Sequence, residues 1–168
     1  MSIKDSLVVF TEGARVNFRL YGYILPVFAG LLDNEPQIFP VIWENLEAKE
    51  SFAKQIYDWI ASNRLKEFIL VSEVWTALIQ EVDRSKVQDW LKTHGSLENW
   101  PARKEMVMVQ YCSPREEIEY TAEIIRGIVP HATTLGEWKI NTQKVELNSE
   151  DFSTRFQGLF FRSKAGQN

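Results

Sequence analysis

The feature that most constrains the fold is the run Lys66 to Ile79, KEFILVSEVWTALI, in which apolar, β-branched and aromatic residues follow one another with no glycine, proline or turn signal. Such a run predicts a central strand. Parity places Glu67, Ile69, Val71, Glu73, Trp75 and Ala77 on one face, and Phe68, Leu70, Ser72, Val74, Thr76 and Leu78 on the other. The second face reads as the better core. A central strand needs neighbours to pair with and helices to cover it, and the remaining sequence offers both.

Before the run, Leu7, Phe10, Ala14, Phe18 and Tyr21 recur at helical spacing from Ile3 to about Tyr21, and Gly22 is placed to stop that helix. Ile24 to Leu32 and Gln37 to Trp43 are apolar runs separated by the turn-forming Asp33-Asn34-Glu35-Pro36, which predicts a hairpin. Pro40 has no N–H for a ladder, so its strand belongs at an edge or carries a bulge. A second helix spans about Glu47 to Arg64, with Phe52, Ile56, Trp59 and Ile60 as its apolar stripe.

After the run, Val87, Trp90 and Leu91 fit a short helix over Ser85 to His94 ending at Gly95, and Ser96 to Arg103 reads as a surface connection suited to a lid or partner contact. Lys104 to Cys112 returns to strand character. Ser113 to Glu116 is a turn, and Ile118, Tyr120, Ala122 and Ile124 then alternate with polar residues as in a half-exposed strand. A helix from Arg115 to Arg126 competes with that strand, because Pro114 and the acidic first turn suit a helix start. Gly127 to Leu135 reads as loop and Gly136 to Ile140 as a short last strand. Asn148 or Ser149 caps a final helix whose stripe is Phe152, Phe156, Leu159 and Phe160.

These elements predict an α+β fold: a mainly antiparallel sheet of about five to six strands with the helices packed on one face. At 168 residues the chain suits one domain, residues 1–162, with 163–168 as a disordered tail. The opposite sheet face would then be water-facing, a pocket wall or an interface.

Candidate chemistry centres on that face. A carboxylate in mid-strand must be solvated, paired or shifted in pKa, so Glu73 beside Trp75 is the first position of interest. Glu119 and Glu123, with Glu105 and Glu137, would add carboxylates if the fold converges them on Glu73, and a separated pair can divide acid and base roles. Arg115 and Arg126 would instead neutralise these acids or receive an acidic ligand.

His94 and His131 are the only histidines and neither belongs to a spaced ligand cluster, so no metal is expected. Cys112, the only cysteine, reads as a small buried hydrophobe. Neither a dinucleotide-binding glycine pattern nor a phosphate loop occurs, and no cofactor is expected. A net charge of −4 opposes a nucleic-acid surface. The longest uncharged stretch, Tyr21 to Leu32, is too short to span a bilayer, and a lone cysteine with no Asn-x-Ser/Thr sequon makes a cytoplasmic location the default.

Two functions are compatible with these residues. One is a noncatalytic domain that binds a protein partner or itself. The other is a small-molecule binder or enzyme with a carboxylate-lined pocket, Glu73 acting as acid, base or ligand contact and Trp75 as its wall.

Overall fold

The computed structural model describes residues 2–76, 84–95, 97, 99–101, 103–129, 132–143 and 159–160. After a 3-10 turn at Lys4–Ser6 the elements are α1 (Leu7–Tyr21), β1 (Val27–Leu32), β2 (Glu35–Pro40), α2 (Leu46–Ala61), β3 (Leu65–Thr76), α3 (Arg84–His94), β4 (Lys104–Cys112), β5 (Glu117–Ile125), β6 (Thr134–Leu135) and β7 (Lys139–Gln143). The strands form an antiparallel sheet in the order β2-β1-β3-β4-β5, with β6 and β7 both pairing β5. The α+β class and antiparallel sheet are those read from the sequence, and the Lys66–Ile79 run supplies the central β3. Its residues 77–79 lie outside the described residues.

Local chemistry sets the boundaries. Gly22 ends α1 in the left-handed conformation (φ 74°) and its N–H donates to the Phe18 carbonyl at 2.9 Å. Asn45 caps α2 by accepting a hydrogen bond from the Ala48 N–H at 2.8 Å. The β1–β2 hairpin closes on Asp33 and Asn34, both at positive φ (53° and 64°), the backbone a two-residue primed turn requires. Asp33 also accepts from Arg64 Nη2 at 2.6 Å, and the guanidinium holds its carboxyl below the ordinary aspartate value. β2 is an edge strand, as Pro40 implied. Residues 117–125 are strand, which resolves the alternative of a helix from Arg115. Thr134 and Leu135, read as loop, pair with β5, and the last strand starts three residues later than the sequence suggested.

The helices do not share one face. α1 packs against β3, β4 and β6 over Ile69, Val71, Val107, Val109, Ile118 and Ala122. α2 covers the reverse side through Ala53, Ile56 and Ile60, over Phe28, Leu65, Phe68 and Leu70. The reason lies in β3 itself: Phe68-Ile69-Leu70-Val71 is continuous rather than alternating, and each of these residues is at most 2% exposed. A strand of that composition buries both faces, so both parities of β3 are core.

The α2 side is aromatic. Phe28 stacks on Phe68 at 5.7 Å and meets Phe52 edge-on at 5.7 Å, and Phe160 extends the stack from Phe68 at 6.0 Å. Leu159 and Phe160 are helical and buried, consistent with the stripe assigned to the final helix. The rest of that helix and the tail lie outside the described residues.

Candidate functional site

Glu73 projects from β3 on the α1 side, at the end of the sheet where α1 stops. Its Oε1 accepts a hydrogen bond from the Ile24 N–H at 3.1 Å. Arg126, just past β5, holds its Nη2 3.7 Å from Oε2 of Glu73, donates from Nε to Glu105 at 2.6 Å, and donates from Nη1 to the Gly22 carbonyl at 3.2 Å. One guanidinium thus joins three strands to the end of α1. The groups are half-buried, so solvent screens the attraction. Both oxygens of Glu73 are engaged by the chain's own donors, and chemically the cluster is a clamp on the α1–β1 connection.

Glu119, Glu123 and Arg115 do not converge there. The β4–β5 turn pairs Cys112 with Glu117 and Tyr111 with Ile118, so odd positions of β4 share a face with even positions of β5. Glu119 and Glu123 therefore lie on the α2 side, across the sheet from Glu73. Glu119 is buried rather than on an exposed face, whereas Glu123 is exposed and sits 3.7 Å from Lys104. Arg115 is exposed in the turn at the opposite end of the hairpin, its N–H donating to Ser113 Oγ at 3.3 Å. Trp75 pairs with Glu105 in the ladder; its side chain lies outside the described residues.

Two buried polar arrangements had no signal in the sequence beyond residue type. Glu67 is 7% exposed on the α1 side and accepts from Tyr111 OH (2.6 Å), the Ile3 N–H (2.8 Å) and Ser2 Oγ (2.9 Å). Burial and this carboxyl push the Tyr111 phenol up to about 12. On the α2 side, Gln110 is fully buried opposite Glu119, with Glu117, Cys112 and Ser72 also buried on that face, and neither amide atom of Gln110 has a hydrogen-bond partner. Burial, then Glu117 and Glu119, push the Cys112 thiol well above its ordinary value, which suits the packing role assigned to it and opposes thiolate chemistry.

Among the described residues no group of three His, Cys, Asp or Glu side chains is placed to hold a metal ion. His94 is exposed and stacks on Trp90 at 3.9 Å, and Trp90 meets Trp100 edge-on at 5.2 Å. His131 lies outside the described residues. Among the described residues no helix is long and apolar enough to cross a membrane.

A concave feature lies elsewhere. A groove of about 500 Å³ runs between the C-terminal end of α1 and the β1–β2 hairpin, lined by Asn17, Tyr21, Tyr23, Leu25, Ile38 and Phe39 among others. Tyr21 closes the predicted α1 stripe, but it falls past the last helical turn that the sheet covers. The Tyr21 and Tyr23 rings lie 6.3 Å apart, flanking the capping Gly22. Tyr21, Tyr23, Leu25 and Ile38 are 58%, 54%, 60% and 68% exposed. Their hydrophobicity reads as core in the sequence, and only the tertiary arrangement leaves them outside. No protein-family model, curated protein or solved structure matches this chain.

Proposed function

We propose that this chain is a noncatalytic protein-interaction domain whose contact surface is the groove between α1 and the β1–β2 hairpin. The observation that carries the reading is the gathering of four large side chains, each more than half exposed, around one concavity. Contiguous exposed apolar surface of this kind, with two tyrosines as rigid amphipathic anchors, is the composition of interface cores. Glu73 supports the same choice, since its oxygens serve the fold's own clamp. We place the protein in the cytoplasm, because its single cysteine is buried and the fold relies on packing without a disulfide.

Site-specific photo-crosslinking in cells tests the reading, with a photoreactive side chain in place of Ile38 and a second probe in place of the exposed Lys54 on α2 as control. The expected result is a discrete protein adduct from position 38 and none from position 54. Absence of any adduct from position 38 rejects the groove as a protein contact.

A further inference from the structure

We infer that the occupant of the groove is a second copy of this chain, docked face to face about a two-fold axis; this rests on the groove being a protein contact. Three observations carry it. The first is area. With exposures of 54–68%, Tyr21, Tyr23, Leu25 and Ile38 offer roughly 500 Å² of side-chain surface, taking about 200 Å² for each large side chain. Two copies would then remove about 1,000 Å² from water, the lower bound for a specific interface.

The second is charge. A two-fold interface sets the same patch against itself, so any net charge on the patch would face its like. Among the described residues the groove is lined by Asn17, tyrosines, aliphatic residues, Phe39 and Pro40, with no Asp, Glu, Lys or Arg. On a chain with 19 basic and 23 acidic residues, an uncharged patch of this size is suited to self-contact.

The third is the state of the neighbouring sheet edge, which excludes the usual alternative of strand addition. The two-residue turn makes Leu32 and Glu35 the closing hydrogen-bonded pair, and alternation then turns the N–H positions of residues 36, 38 and 40 away from β1. Residues 36 and 40 are proline, so Ile38 alone among those positions has an N–H to offer. A partner strand would find two of three donors missing, whereas the Ile38 side chain is 68% exposed. The partner is thereby directed to the side chains of the groove and not to the edge.

The test is solution mass by sedimentation or light scattering across roughly 1–300 µM, the range expected for an interface near the lower size limit. Wild-type protein is expected to move from the 19.6 kDa monomer toward twice that mass. Leu25→Glu and Ile38→Glu, each placing like charges across the axis, should weaken association at least tenfold with unchanged circular dichroism. Ile42→Glu, exposed but outside the groove lining, should leave it unchanged. Mixing Leu25→Glu with Leu25→Lys protein should restore the dimer. A single monomeric species at every concentration overturns the inference, as does a dimer insensitive to both glutamate variants. A monomer that still crosslinks through position 38 to a chain of different mass ends self-association and leaves the interaction reading intact. Monomer with no crosslink ends both.

Discussion

The two faces of the sheet differ in how they fill their cores and in how they treat polar groups. The α1 side is mostly aliphatic, and three strand carboxyls on it meet defined donors: Glu67 receives three hydrogen bonds, and Glu73 and Glu105 share Arg126. The α2 side is aromatic toward β1 and polar toward β5, where Gln110 is buried without a hydrogen bond. The contrast teaches that burial alone does not identify a site. On one face buried polar residues fasten segments together; on the other they sit in a core whose aromatic half supplies the stability.

The largest effect is expected at Phe28. It is fully buried on the α2 side and touches the rings of Phe39, Phe52, Trp59 and Phe68. Phe28→Ala should cost about 3–5 kcal/mol in a denaturant titration, from lost transfer energy and the cavity left behind. Trp59→Ala, at a partly buried site on the rim of the same cluster, should cost less. Equal losses would show that the aromatic cluster has no centre.

Glu67 is next in size. Glu67→Leu leaves the buried Tyr111 hydroxyl and the part-buried Ile3 N–H without their acceptor, and should cost about 2–3 kcal/mol. The same pairing gives an alkaline signature. Tyr111 is raised from its ordinary 10.0 to about 12, so the folded state keeps the phenol proton that the unfolded chain loses. Its contribution is fully present below pH 10 and is lost as the pH rises toward 12. Tyr111→Phe should be less stable at neutral pH and should lack that part of the alkaline slope; an unchanged slope would assign it to other groups.

Much of this architecture was legible in the sequence. Gly22, Asp33-Asn34 and Pro40 mark boundaries through chemistry that acts over a few residues, and the structure uses each at that place. Relations between strands were not legible. Parity within β3 follows from the period of two, but whether Glu119 shares a face with Glu73 depends on the β4–β5 register, and the Cys112–Glu117 pairing puts them on opposite sides. The same limit applies to the groove. Leu25 and Ile38 look like core in any hydropathy pattern, and their exposure follows from where α1 ends relative to an edge hairpin.

The α2 face makes a prediction of opposite sign. Gln110→Met keeps the length of the side chain and removes two buried polar atoms that have no partner. Such a change should raise stability by about 1 kcal/mol, since the desolvation cost disappears and no hydrogen bond is lost. A loss of that size instead would mean the amide is satisfied in solution, and the two faces would then treat polar groups alike.

The smallest effect is expected at Arg126, although it joins more elements than any of the residues above. Its partners Glu73 and Glu105 are half-exposed, and screening leaves such contacts worth about 1 kcal/mol or less. Arg126→Ala should therefore barely move the denaturation midpoint. The change should be local: with the Gly22 carbonyl and one Glu73 oxygen released, amide hydrogens of residues 22–25 should exchange faster while those of β3 and β4 do not. Because Tyr23 and Leu25 lie in that segment and Tyr21 adjoins it, the same substitution should weaken self-association severalfold without adding a charge to the groove. A large loss of global stability would make the clamp part of the core; faster exchange confined to residues 22–25 with weaker association would make it the support that holds the groove in shape.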